Sequence, residues 1–157
     1  MKTKELQTLW WDWLGTSERL LLSLHEQTAA LTLRKLDRIE RVQPQVESLM
    51  ALVREIDDKA AACAHRLAVE LGTDPNLRSM SQALEKAEAQ QLQALANRVI
   101  VAARNIQTVI NKNNVLIESE LTYVNGTLTL IAKAAEPKAP KYRRKKSQAT
   151  VLMDQAA

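Results

Sequence analysis

The apolar residues of this chain recur every three or four positions over most of its length, the spacing of an amphipathic α-helix. The repeat is most regular at Val46, Leu49, Val53, Ile56, Ala60, Cys63 and Leu67. Only 3 glycines and 4 prolines occur in 157 residues, so few turns interrupt the pattern. Folds rich in strands need many punctuated, β-branched segments, which are scarce in this chain. The sequence therefore predicts an all-α fold.

Turn signals divide this pattern into a long antiparallel hairpin and an extended third helix, together a three-helix bundle domain over residues 1–134. The predicted helices span about residues 4–41, 45–71 and 75–134. We place the first turn at residues 42–44 because Pro44 lacks the amide proton that an uninterrupted helix requires. Gly72 suits the left-handed position that ends the second helix, and Pro75 suits the first position of the third.

The third predicted helix is too long for its partners, since it would extend about 90 Å if unbroken. Part of it must therefore project, bend or pair with another chain. Gly126 marks an expected fray or bend, and Pro137 ends the helix. An apolar stripe in this region has no obvious intramolecular cover, and we call it the C-terminal stripe: Ile117, Leu121, Val124, Leu128 and Ile131. Exposed stripes of this kind mark binding sites.

Two further features allow alternative interpretations. The helical spacing of the third helix places Asn113 on its apolar face, where the amide either is buried and fixes the helix register or lies at the edge of the stripe. Trp10 and Trp13 lie on one side of the first helix and are expected to plug the end of the bundle. Trp11 points away from them, and it is either partly exposed or an anchor for a partner.

The net charge of +4 is unevenly distributed. From position 133 onward there are seven Lys or Arg residues against two acidic ones, whereas the rest of the chain has 15 basic and 16 acidic residues. Such a segment has too few apolar groups to offset the entropy cost of ordering. We therefore expect residues 135–157 to form a flexible basic C-terminal tail.

No constellation of residues in the sequence suggests catalysis or metal binding. Cys63 and His65 point about 200° apart on a helix, and His25 lies on another element. No nucleophile has a recognisable base, and no glycine-rich loop is present. We expect no enzymatic activity, no cofactor, no metal and no small-molecule substrate. We also expect a cytoplasmic protein, because no apolar run reaches the roughly 20 residues of a membrane span and the first residues do not form a secretory signal.

A motif of the form Asn-x-x-Leu-Ile-Glu begins at Asn113, and spaced apolar residues, a Glu-Pro pair and Tyr142 follow it. Its other members are Leu116, Ile117, Glu118, Leu121, Leu128, Leu130, Ile131, Glu136 and Pro137. A second pattern in the first helix consists of Leu21, Leu22, His25, Glu26, Ala30, Leu31, Leu36 and Ile39. Together these residues, within about positions 18–142, resemble the FlgN-type flagellar export chaperones.

The resemblance implies a small cytosolic all-α protein that binds hook-filament junction (hook-associated) proteins before their secretion. Such a chaperone prevents premature association of these clients and delivers them to the flagellar type III export gate. The resemblance also implies that the C-terminal part of the long helix and its tail hold the client and that Tyr142, beyond that helix, contributes to contact with the gate. The expected client-binding residues are Asn113, Leu116, Ile117, Leu121, Val124, Leu128 and Ile131.

Two other hypotheses come from different functional classes. In the first, the chain is a self-associating coiled-coil scaffold whose C-terminal stripe pairs with a second copy. In the second, it is an accessory protein that binds nucleic acid through its basic tail. Nucleic-acid binding is the less favoured of the two, because only Tyr142 lies near the basic run of residues 143–146 and no base-reading element is recognisable. A monomer and a dimer are both compatible with the sequence.

Overall fold

The computed structural model describes residues 1–135, and about 90% of them are helical. The helices are α1 (Lys4–Thr32), α2 (Leu36–Leu71), α3 (Leu77–Ala83) and α4 (Lys86–Ala135). No strand occurs in this part of the chain, so the predicted all-α bundle is confirmed. Residues 136–157, which make up nearly all of the predicted basic tail, lie outside the described residues.

Helix α1 packs between α2 and α4, and these two neighbours run in opposite directions. The α1–α2 pair is antiparallel, because Glu5 near the start of α1 forms an ion pair with Arg66 near the end of α2, at 2.7 Å. The α1–α4 pair is parallel, because Thr3 contacts Glu88 at one end and Thr28 contacts Asn113 further along both helices. The result is a three-helix bundle in which α1 is the shared central helix.

The first turn lies earlier than predicted. Helix α1 ends at Thr32 and α2 begins at Leu36, so the predicted helix over residues 4–41 and the predicted turn at 42–44 are wrong. Pro44 lies inside α2 and on its exposed side. Water can therefore hydrate the carbonyl group that loses its helical partner there, and the buried side chains on the other side of α2 continue their three-and-four spacing across the proline.

The turn after α1 is closed by two backbone hydrogen bonds of the Schellman type. The N–H of Lys35 donates to the carbonyl of Ala30 at 3.1 Å, and the N–H of Arg34 donates to that of Leu31 at 3.2 Å. Arg34 has a φ of 51°, in the left-handed region. Gly72, with a φ of 67°, ends α2 with the same pair of bonds, as predicted. A glycine in a sequence predicts a left-handed residue at the end of a helix, whereas an arginine does not.

The predicted helix over residues 75–134 is divided, because the chain breaks its helix between α3 and α4. Helix α3 begins at Leu77, so Pro75 is not its first residue as predicted; the side chain of Asn76 caps α3 by accepting a hydrogen bond from the N–H of Ser79 at 2.8 Å. Met80 of α3 is buried against the first turns of α1 and α4 and the last turns of α2. Reaching that position requires α3 to leave the direction of α4, which explains the break.

The core consists of two clusters of buried side chains. The central cluster contains Trp13, Leu20, Leu24, Val42, Val46, Leu49, Ile56 and Ile106. The cluster at the end covered by α3 contains Leu6, Ala60, Cys63, Leu67, Ala68, Met80 and Leu92. The regular apolar repeat of α2 faces these clusters, with only Val53 partly buried, so its predicted role in packing is confirmed.

Helix α4 continues through Gly126 to Ala135, and the fray expected at that glycine does not occur. Adding residues to an existing helix needs no new nucleus, so a single glycine that costs about 1 kcal/mol does not end it.

A carboxylate at the start of α4 holds the start of α1. The backbone N–H of Thr3 donates to Oε1 of Glu88 at 2.9 Å, and the Thr3 hydroxyl donates to the same oxygen at 2.7 Å. Glu88 is only 9% exposed. These two hydrogen bonds favour the charged form and hold the pKa of Glu88 below its ordinary value.

A buried amide joins all three long helices. Asn113 is 1% exposed, and its Nδ2 donates to the carbonyl of Leu24 at 3.0 Å and to Oε1 of Gln27 at 2.8 Å. Its Oδ1 accepts from the Thr28 hydroxyl at 2.5 Å. Gln27 in turn donates to Gln43 of α2 at 2.7 Å. Of the two interpretations of Asn113, the structure supports the buried amide that fixes register.

Replacing Glu88 with Gln tests the carboxylate contact. Because the pKa of Glu88 is lower in the folded protein than in the unfolded chain, its contribution is present above about pH 4.5 and is lost as pH falls through the folded value. We expect E88Q to lose about 1 kcal/mol at pH 7, and the difference from wild type to be smaller at pH 3. Urea denaturation at both pH values measures this. The matched control is E85Q, and a difference that is the same at both pH values would contradict the assignment.

Replacing Asn113 with Ala tests the buried amide. The change removes the hydrogen-bond donor to Oε1 of the buried Gln27 and leaves a small cavity at a fully buried position, so we expect a loss of about 2–3 kcal/mol in the free energy of unfolding. The neighbouring exposed Asn114, changed to Ala, serves as control and should alter stability by less than about 0.5 kcal/mol. Equal effects of the two substitutions, measured by urea denaturation, would show that the amide network contributes nothing specific.

Candidate protein-binding surface

Helix α4 runs past the end of the helix that covers it. The contacts of Thr3 with Glu88 and of Thr28 with Asn113 both join residues 85 positions apart. The same offset places Thr32, the last residue of α1, at the level of residue 117 of α4. The remainder of α4, as far as Ala135, therefore extends about 27 Å beyond the end of α1.

Arg34 in the α1–α2 turn contacts α4 just past this level. Its Nε lies 3.1 Å from Oε2 of Glu120, and its guanidinium carbon lies 4.1 Å from the ring centroid of Tyr123. Further along, the exposed fraction of the large apolar side chains rises to about half or more: Val124, Leu128, Leu130 and Ile131.

The C-terminal stripe continues the side of α4 that faces the bundle. The buried Ile106 and Asn113 belong to this side, and a further step of four positions from Asn113 leads to Ile117. Ile117 and Leu121 are partly buried. Val124, Leu128 and Ile131 are 45%, 49% and 59% exposed. The stripe therefore passes from cover to solvent along one face, and α1 would cover its outer half only if α1 were longer.

The outer part of α4 carries no charge over residues 121–132, in a chain in which 25% of residues are charged. Exposed apolar side chains outside the stripe also occur in this segment, at Tyr123 and Leu130. The sequence analysis did not place these two residues in the candidate site. The signal that identifies them is this uncharged segment, which leaves the outer helix without the polar face of an ordinary surface helix.

The structure places the other residues predicted to bind a client in different surroundings. Leu116 is partly buried beside the stripe. Asn113 is enclosed by the bundle and its amide is bonded to α1, so its prediction as a client contact is corrected: it positions α4 instead. Tyr142 and the basic run of residues 143–146 lie outside the described residues.

The three tryptophans divide between core and surface. Trp13 is buried in the central cluster, and Trp10 packs against the cluster that α3 covers. Trp11 is 50% exposed, and the guanidinium carbon of Arg98 on α4 lies 4.8 Å from its ring centroid. This contact is of the cation–π type and joins α1 to α4 at the surface.

The remaining polar and reactive side chains form no second site in the part of the chain that the structure describes. Within residues 1–135, no three His, Cys, Asp or Glu side chains are grouped so as to hold a metal ion. Cys63 is buried, and burial raises the pKa of its thiol. Over the same residues, no helix combines the length and apolar content needed to cross a membrane.

Comparison with known proteins gives one family match. The family model described as FlgN protein matches residues 1–150, which includes every helix described above. No curated protein and no solved structure matches the chain. The FlgN family is a family of flagellar export chaperones, and its members are not known as enzymes. Since the match covers nearly the whole sequence, this chain belongs to the FlgN family.

Proposed function

We propose that this protein is a cytoplasmic chaperone that binds hook-filament junction proteins through the C-terminal stripe, prevents their premature association and delivers them to the export gate. The observation that carries the proposal is an apolar stripe that leaves its intramolecular cover and continues into solvent on a formed helix. Family membership supports the general role. The function requires no catalysis and no cofactor.

The proposed mode of binding is helix pairing. Along its covered part, α4 packs against α1 with side chains spaced by three and four residues, such as Ile106 and Val109. The C-terminal stripe repeats this spacing beyond the end of α1. An amphipathic helix of the client would therefore lie where a continuation of α1 would lie and would cover Leu121, Val124 and Leu128.

The size of the stripe suits a client that must later be released. Five side chains of moderate size, two of them already partly covered, offer far less apolar area than an obligate interface of 2,000 Å² or more. Residues 121–132 carry no charged side chain, so an apolar client helix could pack against this part of α4 without removing a charge from water. Binding through this surface would thus be specific to an apolar face and reversible.

Charged residues in the stripe should abolish client capture. We expect L121E/L128E to retain the helical signal in circular dichroism and to weaken binding of purified hook-filament junction proteins from the same organism by at least about thirtyfold. Isothermal titration calorimetry with each client measures the change. The control is V69E, which adds a charge at an exposed apolar position of α2 and should bind as wild type does.

Undiminished capture by L121E/L128E would refute the stripe as the binding surface. A wild-type dimer that dissociates in L121E/L128E, detected by light scattering, with no binding of clients to either, would instead favour the self-associating scaffold.

We also propose that Tyr142 contributes to contact with the export gate, in line with the family resemblance of the motif that precedes it. Because this residue follows the client-binding helix in the sequence, its replacement should separate the two steps. We expect Y142A to bind clients with unchanged affinity and to reduce client secretion several-fold in a strain that lacks the wild-type protein. Loss of binding and secretion together would contradict the assignment.

A further inference from the structure

The two turns that end α1 and α2 have the same backbone geometry but different residues. Gly72 and Arg34 both adopt a left-handed conformation, with φ of 67° and 51°, and both turns are closed by the same pair of hydrogen bonds. This conformation is free of steric cost for glycine but not for a residue with a Cβ atom. Arginine at position 34 is therefore unfavourable for the turn itself, and its side chain must supply the compensation.

The side chain of Arg34 makes two contacts with one turn of α4. Its Nε lies 3.1 Å from Oε2 of Glu120, and its guanidinium lies over the ring of Tyr123, 4.1 Å from the centroid. Glu120 and Tyr123 are three positions apart, so they are neighbours on the surface of one helix. The planar guanidinium can pair with a carboxylate and stack on a ring together, which the ammonium of a lysine cannot do.

These contacts lie where the cover of α4 ends. On the near side, Asn113 is bonded to α1 inside the bundle. On the far side, Val124 and Leu128 are about half exposed. A helix without tertiary packing is only marginally stable in water. A contact at this level therefore decides how much of the outer helix is formed before any partner binds.

We infer that Arg34 is a positioning residue, which fastens α4 to the α1–α2 turn and so presents the C-terminal stripe as a formed helix. The effect on α4 is independent of any client. Its consequence for clients rests on the proposed function: a stripe that is already ordered binds without the entropy cost of folding on contact. The long, planar, charged side chain at position 34 reaches both contacts, which offsets the cost of its left-handed backbone conformation.

The substitution R34G distinguishes the contact with α4 from the stability of the turn. Glycine adopts the left-handed conformation without steric cost, and it removes the side chain that contacts Glu120 and Tyr123. In the full-length protein without client, we expect the amides of residues 121–131 to exchange hydrogen roughly three- to tenfold faster. Exchange of residues 92–113 should be unchanged, and the melting temperature should stay equal or rise. Hydrogen–deuterium exchange read by mass spectrometry gives the local rates, and calorimetry gives the melting temperature.

Three further variants define the mechanism. R34K keeps the charge and should recover only part of the protection, whereas Y123L, which leaves the Arg34–Glu120 ion pair intact, should raise exchange less than R34G does. The double variant R34G/Y123L should add little to R34G, since R34G already removes the contact with Tyr123. G72A, at the matched turn of α2, should lower the melting temperature and leave exchange in residues 121–131 no faster than in the rest of the bundle.

Unchanged exchange of residues 121–131 in R34G would overturn the inference. So would a fall in melting temperature with faster exchange throughout the bundle, which would make Arg34 a residue of general stability. The proposed function is tested separately by client binding to the wild type. If the wild type binds no client, that proposal fails whatever the exchange rates show; if it binds, we expect R34G to bind roughly three- to tenfold more weakly.

Discussion

The fixed register between the parallel helices α1 and α4 is the constraint on which the rest of the structure depends. Thr3 with Glu88 and Thr28 with Asn113 bracket equal lengths of the two helices, close to seven turns of each. A slip of one turn would leave the Asn113 amide among apolar side chains without its hydrogen-bond partners. It would also separate the Glu88 carboxylate from Thr3, and both losses would lower the stability of the fold. Apolar packing between two regular helices does not by itself choose among such registers, so the polar contacts do.

This register decides where the apolar face of α4 emerges from the bundle. The same side of the helix that buries Ile106 becomes the exposed C-terminal stripe once α1 has ended at Thr32. As a proposed binding surface, the C-terminal stripe needs no separate pocket or loop, because it is the interior packing surface of α4 continued beyond the end of α1. Under the proposed function, a client helix would complete the bundle, so that the same packing surface would supply both stability and recognition.

Much of the fold follows from local rules that can be applied to the sequence. The repeat of α2 predicted its buried face correctly, and Gly72 marked its end. The first turn could not be placed in this way. Pro44 is tolerated because it is exposed on the surface of α2, and the true turn uses Arg34 in a conformation that arginine rarely adopts. The side chain of Arg34 contacts Glu120, a residue of α4 more than 80 positions further along the chain, and no rule based on neighbouring residues predicts such a contact.

The sequence by itself determined that the chain is all-helical, that its last helix is too long for its partners and that an apolar stripe lies on the excess. These features depend on periodicity and helix length, and both can be read from the spacing of apolar residues along the sequence. Only the tertiary structure decided that α1 and α4 are parallel, that Asn113 is buried rather than part of the surface, and that Arg34 meets α4 where the cover ends. These depend on which distant side chains come together, and many pairings are compatible with the same local pattern until packing and hydrogen bonding select one.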